Sequence, residues 1–387
     1  MPQSDKSAKS RIISYALTPA SWLYGAVTCL RNKLYDWGVF HSATFDIPVV
    51  SVGNLSVGGT GKTPHVEYIV EYLSSTYKIA VLSRGYKRKT RGFVLASSLS
   101  TPDTIGDEPY QIYKKYGYRI KVAVCENRAK GIRELQSIDP EINLIVLDDA
   151  FQHRGVQPKV NVLLIDYGRP VYSDHLLPLG RLRENRQAMG RADMVVVTKV
   201  PAGIKPIDLR VMKKNLDLWA YQKLFFSRIS YGELLPVFEQ EARFTVRLDQ
   251  LTRNDAALLV SGIANPRPFV RYFKKYPVRV RVSHFPDHHD FTRADLETIV
   301  QAYENMKGAR KLIITTEKDA VRLAHNPYFP EKLKPYIFFV PISVDMVEGL
   351  DDSDFISTLR QAINSPGQRQ NPSAGTGREH EEENDDR

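Results

Sequence analysis

Cysteine is scarce in this 387-residue chain: only Cys29 and Cys125 occur. Two cysteines without a pairing pattern exclude a disulfide scaffold and a thiolate zinc site, and they point to a reducing compartment. Tryptophan is rare too, with three residues, yet 16 Phe and 20 Tyr help bring the hydrophobic fraction to 42%. That is too apolar for wholesale disorder and enough for a buried core. Long uncharged runs are missing except for Ile12 to Leu30, 19 residues, close to the roughly 18–20 that cross a bilayer. No internal repeat, Cys/His finger or aromatic-studded RNA motif is present. Acidic residues are outnumbered, 44 Asp+Glu against 54 Lys+Arg, for a formal charge of +10. The excess favours an anionic partner without choosing among phosphates, nucleic acid and membrane.

What is present is unevenly distributed. Residues 365–387 hold three Arg against six Asp+Glu and almost nothing to bury, so a disordered acidic tail is expected there. The remainder is correspondingly more basic, and its length suggests two domains. At the other end, Thr18-Pro19 reads as a helix cap followed by a first helical position. The uncharged part of that helix is then only Pro19 to Leu30, too short to span. Leu23, Ala26, Val27, Leu30, Leu34 and Trp37 recur at helical spacing, with Trp22, Tyr24, Tyr35 and Trp37 as interfacial aromatics. An amphipathic helix at a bilayer interface and a helix docked on the protein's own core both fit the pattern.

Beyond Phe40, short apolar runs alternate with helical stretches. The runs are 47–52, 78–83, 121–124, 144–147, 162–165 and 194–197. Their lack of alternation suits strands buried on both faces of a parallel sheet. Residues 224–247 read as a connection, and a second α/β set follows at 257–260, 278–282, 312–314 and 337–340. The first strand runs into Gly53-Asn54-Leu55-Ser56-Val57-Gly58-Gly59-Thr60-Gly61-Lys62-Thr63-Pro64. Gly61, Lys62 and Thr63 match the end of a P-loop, whereas Ser56 stands where the strict pattern has its first glycine. A glycine-rich loop between strand and helix can wrap phosphate oxygens in backbone N–H groups. Lys62 then reaches the β/γ-phosphates and Thr63 ligates Mg²⁺. Leu144 to Leu147 ends in Asp148-Asp149, the acidic strand end such a site needs for its metal; a loop cap is the plainer alternative. A Mg-nucleotide enzyme is the leading class on residues alone.

Seven blocks in order resemble the tetraacyldisaccharide 4′-kinase (lipid A 4′-kinase) family: Ser51 to Pro64, Ser83-Arg84-Gly85-Tyr86, Gly106-Asp107-Glu108-Pro109, Asp148 to Arg154, Leu179 to Glu184, Phe285-Pro286-Asp287-His288-His289 and Thr316-Glu317-Lys318-Asp319-Ala320. The resemblance covers roughly residues 12–350. One departure is Ala150, where the family usually has Gly. The resemblance implies ATP-dependent transfer of a γ-phosphoryl group to the 4′-hydroxyl of an acylated glucosamine disaccharide 1-phosphate in lipid A biosynthesis. It also implies a P-loop domain joined by a two-stranded linker to a smaller α/β domain, and an N-terminal helix on the cytoplasmic face of the inner membrane. The expected division is 1–40 for the membrane helix, 41–235 for the kinase domain, 236–364 for the linker and smaller domain, and 365–387 for the tail.

Roles follow residue by residue. Ser56, Val57, Gly58, Gly59, Thr60, Gly61, Lys62 and Thr63 form the nucleotide loop. Asp107 is the expected base for the sugar hydroxyl, in a tight exposed loop between Gly106 and Pro109. His288 is its expected partner, with His289 as the alternative. Thr63, Asp148 or Asp149 take Mg²⁺, and Glu184 is a further carboxylate by family position. Arg84, Tyr86, Arg128, Gln152 and Arg183 are expected on the acceptor side, guanidinium for phosphate and amide or phenol for sugar hydroxyls. Lys87, Arg88, Lys89 and Arg91 read as a guide for anionic headgroups. The expected partners are the lipid substrate and the membrane leaflet, with neither nucleic acid nor a protein. Two other readings are a GTPase-type metallochaperone, faintly suggested by Thr198-Lys199 after a strand, and a basic nucleic-acid binder.

Overall fold

The computed structural model describes residues 4–347 and 353–366, with side chains from residue 17 onward. Most of the expected acidic tail lies outside the described residues. In chain order the strands are β1 Val49–Asn54, β2 Ile79–Ser83, β3 Val94–Leu95, β4 Lys121–Val124, β5 Leu144–Asp148, β6 Val160–Asp166 and β7 Met194–Thr198. They continue with β8 Lys223–Tyr231, β9 Leu235–Pro236, β10 Ala256–Ser261, β11 Arg279–His284, β12 Lys311–Thr316, β13 Ile337–Val340 and β14 Ile342–Val347. Among the described residues they form two sheets, ordered β14-β8-β7-β6-β1-β5-β2-β4-β3 and β11-β10-β12-β13-β9. In the larger sheet β1 is central and parallel to both β5 and β6.

The helices are α1 Ser4–Asp36, α2 Lys62–Leu73, α3 Pro102–Ile105, α4 Asp107–Tyr116, α5 Arg128–Ile138, α6 Pro206–Leu216, α7 Arg267–Phe273, α8 Arg293–Glu304, α9 Glu317–Ala324 and α10 Phe355–Asn364. All six residues of β1 are buried, and they divide by the two-residue strand period. Val50 and Val52 join Val66, Ile69 and Leu73 of α2 in one core. Val49 joins Ile132 and Leu135 of α5 in another on the opposite face. Burial on both faces is why β1 reads as an unbroken apolar run.

The chain does not divide in sequence order as expected. Residues 342–364, expected with the smaller domain, return to the larger sheet. β14 pairs antiparallel with β8 at its edge, and Phe355, Ile356, Leu359 and Ile363 of α10 are buried in the core shared with β1 and α2. Four such side chains contribute roughly 6–12 kcal/mol of burial before entropy is counted. β8 and β14 are also the two strands next to the crossings between the sheets, since β9 and β13 belong to the second one.

The N-terminal helix differs as well. It does not begin at Thr18-Pro19; α1 runs from Ser4 through Pro19 to Asp36. Proline lacks the N–H that would bond the preceding turn, so the helix passes it with one hydrogen bond fewer. Ser21 donates to the Leu176 carbonyl at 3.0 Å, Tyr24 to that of Arg183 at 3.0 Å, and Asn32 to Glu184 at 3.0 Å. Arg31 donates to the Gln152 carbonyl at 2.5 Å. These residues share one helix face, and it is the polar one. Trp22, Leu23, Val27, Leu30 and Trp37 are exposed on the other. Tyr24 and Tyr35, expected among interfacial aromatics, instead help hold the helix: Tyr35 lies 5.1 Å beneath the Arg154 guanidinium. No described helix is long and apolar enough to cross a membrane.

Candidate active site

The loop from Leu55 to Gly61 leaves the carboxyl end of β1 and enters α2. Its start is pinned from outside: the Val57 N–H donates to the Arg181 carbonyl at 2.8 Å, and Ser56 bridges Leu182. Gly53 lies against Phe151, where a β-carbon would fall 2.6 Å from the Phe151 Cβ. Gly61 caps α2 at φ 89°, in the left-handed region open to glycine.

The loop's carbonyls reveal its orientation. Lys199 Nζ donates to the Gly59 carbonyl, Thr198 Oγ1 to that of Thr60 at 2.8 Å, and His65 Nδ1 to that of Gly61 at 2.7 Å. In a trans peptide the carbonyl and the next N–H point in opposite directions. Three carbonyls held by side chains therefore turn the N–H groups of Thr60, Gly61 and Lys62 the other way, as a phosphate cradle requires. Asn54 also holds the Thr60 hydroxyl at 2.7 Å. A carbonyl can only accept, so His65 carries its proton on Nδ1 and takes the Ser227 hydroxyl at Nε2, 2.8 Å away. Burial, aided by Lys199 and opposed by the Gly61 hydrogen bond, pushes the His65 pKa down to about 4. Thr198 and Lys199 thus serve the cradle. No sequence motif marks them or His65 for this.

The acidic side lies on the neighbouring strand, where Asp148 of β5 stands opposite Val52 of β1. Asp149 turns the chain at φ 47°. Its carboxylate lies 3.6 Å from Lys62 Nζ and 3.1 Å from Arg183. Burial opposes its charge, but Lys62 and Arg183 outweigh it and hold the carboxyl low. Asp148 is pushed up to about 7, first by burial and then by the Asp149 charge. Its Oδ1 is buried with no hydrogen-bond partner. Gln152 joins the group, donating to the Asn54 carbonyl at 2.7 Å and accepting from Arg183 at 3.2 Å.

Several residues expected at the site also have partners within the protein. Glu184, expected near the metal, is fully engaged by Arg191, Asn32 and Arg31, so it fastens α1 to the body. Arg128, expected on the acceptor side, is buried and donates to the carbonyls of Cys125 at 2.8 Å and Asp148 at 3.3 Å. Burial lowers its pKa to about 10, against the pull of Asp148 and Asp149. It braces the turn that carries the two aspartates. In the basic cluster, Arg88 is tied to Glu126, Lys89 to Asp103 and Lys87 to the His288 carbonyl. Arg84 and Tyr86 are exposed on the loop after β2.

Asp107 is not in an exposed loop. Gly106, at φ 92°, separates α3 from α4, and Asp107 is the first residue of α4 and buried. Pro109 is tolerated because the first helical turn needs no N–H partner of its own. His288 arrives from the loop after β11, its Nδ1 3.4 Å from Asp107 Oδ2 and its ring 5.2 Å from that of Tyr86. His289 faces away, bonded to Asp295 at 2.9 Å and stacked on Phe285. Arg322 of α9 donates to Asp107 Oδ2 from Nε at 2.8 Å and Nη2 at 2.6 Å. Burial works against the Asp107 charge, but His288 and Arg322 outweigh it and hold the carboxyl below its usual range. Sequence reasoning singled out the 316–320 block without a role and missed Arg322, two residues beyond it.

A parallel sheet that delivers a phosphate cradle and an acidic turn from adjacent strands defines the class: a P-loop nucleotide-binding protein. The family model for LpxK, tetraacyldisaccharide-1-P 4'-kinase, matches residues 13–364. The chain belongs to this family. Relatives named tetraacyldisaccharide 4'-kinase include one from Bacteroides thetaiotaomicron, 49% identical over 87% of this chain and 90% of its own. Another, from Porphyromonas gingivalis, is 44% identical over 86% of this chain and 92% of its own. A crystal structure of the "apo" form of LpxK from Aquifex aeolicus in complex with ATP matches at a TM-score of 0.68 and 28% identity, covering 91% of this chain and 98% of that one.

Proposed function

We propose that the protein transfers the γ-phosphoryl group of ATP to the 4′-hydroxyl of an acylated glucosamine disaccharide 1-phosphate, a step of lipid A biosynthesis. The observation that carries this reading is the meeting of Asp107 and His288, next to Glu108, whose charge acts on Asp148 at the end of β5. The N–H groups of Thr60 to Lys62 and the Lys62 ammonium hold the phosphates. Asp107 accepts the proton of the attacking hydroxyl, and His288 orients its carboxylate. Arg84 and Tyr86, exposed on the adjoining loop, and Arg183 with Gln152 suit the acceptor's phosphate and hydroxyls.

The orphaned Asp148 Oδ1 fits a divalent cation. Thr63, Asp148 and Asp149 would hold Mg²⁺, which when bound neutralises charge on the β- and γ-phosphates. His288 comes from the unit built on the second sheet, so the reactive pair forms only when the two units are together. The family match and the sugar-hydroxyl site leave the GTPase and nucleic-acid readings unfavoured.

The exposed apolar face of α1, with its polar face docked, supports a seat in the interface of a bilayer. ATP use makes that the cytoplasmic leaflet of the inner membrane. Replacing Leu23, Val27 and Leu30 together by Glu abolishes flotation with anionic phospholipid vesicles on this reading; unchanged flotation would place the anchor elsewhere. For the reaction, the purified chain is incubated with γ-labelled ATP, Mg²⁺ and a disaccharide 1-phosphate lipid. Label is expected in the lipid. Label released only as free phosphate would sink the assignment.

A further inference from the structure

α9 carries two cations on one face, Lys318 and Arg322, spaced as i and i+4. Both point at the Asp107–His288 pair. Arg322 sends two N–H groups to a single carboxylate oxygen, Asp107 Oδ2, and a third to Asp290 at 3.2 Å. Among the described residues Asp107 Oδ1 takes no hydrogen bond. Lys318 Nζ lies 2.8 Å from His288 Nε2, 3.2 Å from Glu108 and 3.6 Å from Asp287. An ammonium has only donors, so Nε2 is the acceptor and a neutral imidazole carries its proton on Nδ1, the nitrogen facing Asp107.

The same turn also holds the histidine's backbone. Asp319 Oδ2 accepts from the Gly262 N–H at 2.9 Å, and the Gly262 carbonyl accepts from the His288 N–H at 3.2 Å. His288 sits at φ 56°, a conformation that needs such support. One helix turn therefore fixes the ring's position, its tautomer and the carboxylate it meets.

We propose that Lys318 and Arg322 are positioning residues of the phosphoryl transfer: Arg322 fixes Asp107 Oδ2 so that Oδ1 meets the acceptor hydroxyl, and Lys318 fixes the imidazole proton of His288 on Nδ1. The proposal rests on the kinase reading above. Its chemistry is specific. The hydroxyl proton passes to Asp107 Oδ1, and His288 Nε2, already occupied by Lys318, takes no proton from the acceptor. Asp107 is faced by Arg322 and Lys318 from α9, by His288 and, through Arg322, Asp290 from the loop after β11, and by Glu108 on its own helix. Lys87 adds a charge at the His288 carbonyl.

The test uses the full chain with the labelled-ATP lipid assay. The variants are Lys318→Met, Arg322→Met and Arg322→Lys. For each Met variant kcat is expected to fall 10- to 100-fold while the KM for ATP changes less than threefold. The acidic limb of the kcat–pH profile moves to higher pH, because both cations hold the Asp107 carboxyl low. Arg322→Lys, which keeps the charge, recovers part of kcat and part of the pH shift. Lys318→Gln replaces Lys318→Met should the latter fail to fold by circular dichroism. Wild-type kcat with an unmoved acidic limb in the folded variants would overturn the proposal. A wild-type enzyme that transfers no label to lipid would overturn the kinase reading itself, which separates the two failures.

Discussion

The phosphate cradle and the Asp107–His288 pair are built in opposite ways. The cradle lies within one sheet layer and one short stretch of chain, and its carbonyls are held by Lys199, Thr198 and His65. His65 is neutral near pH 7, its pKa lowered to about 4. The reactive pair is assembled between two sheets, and charged or polar pairs hold it: Asp107 with Arg322, Glu108 with Lys318, Lys115 with Glu317 and Tyr110 with His325. Polar interfaces of this kind exchange readily with water and favour relative motion. On the kinase reading proposed above, the difference teaches that the nucleotide seat is preformed and the proton acceptor, Asp107, is completed only where the two units meet. A kinase gains from that arrangement, because an unassembled base does not promote hydrolysis of bound ATP.

The most severe break falls on the conditional region. Asp107→Asn keeps the shape of the side chain and removes its basicity. It is expected to lower kcat roughly 10²- to 10⁴-fold, the range for losing a general base, with the affinity for ATP changed less than twofold. Steady-state assays and nucleotide titration measure the two separately. A variant that retains most of its kcat would remove Asp107 as the base. Parallel loss of ATP affinity would show that the two regions are not independent.

A second effect separates the regions by pH. Glu67 of α2 is buried where the two units meet, 2.7 Å from Lys115 and 2.7 Å from Gln111. Burial raises its pKa to about 7; Lys115 opposes the shift and Glu317 adds to it. A carboxyl with a raised folded pKa binds more protons folded than unfolded between about 4.5 and 7. Its contribution to stability is complete at low pH and is lost as pH rises through 7. Relative to Glu67→Gln, the wild type should therefore lose stability on the order of 3 kcal/mol between pH 4.5 and 8. Denaturant unfolding at several pH values reads the difference, in which titrations of groups remote from Glu67 cancel while those of Lys115 and Glu317 shift with it. A difference that is flat with pH would mean that Glu67 stays charged beside Lys115.

How much was legible beforehand follows the same division. The cradle and Asp148-Asp149 are contiguous motifs after apolar strand runs, so local pattern was enough to place them. Arg128 and Glu184 are ambiguous in sequence, because their residue types suit a substrate or metal as well as a structural pair. Only burial and partners show that one braces a turn and the other fastens a helix. Arg322 was missed because nothing in its own segment records that α9 faces Asp107. The return of β14 and α10 to the first sheet was missed for a like reason: an amphipathic helix such as 355–364 shows that it has a partner face without naming the partner.

The smallest expected effect tests how the interface is divided among its contacts. His325 Nδ1 donates to the Val321 carbonyl at 2.8 Å, so its Nε2 accepts, and Tyr110 is the donor across the interface at 3.1 Å. Tyr110→Phe deletes that one hydrogen bond and keeps the buried ring. A neutral hydrogen bond contributes about 1 kcal/mol net, and His325 is exposed, so water replaces the lost donor. The variant should lose less than fivefold in kcat and keep its ATP affinity. A loss near that of Asp107→Asn would make the interface a single cooperative unit in which no contact is minor. A small loss, beside large ones at Asp107 and Arg322, would place the control of assembly in the charged pairs that touch the reactive carboxylate.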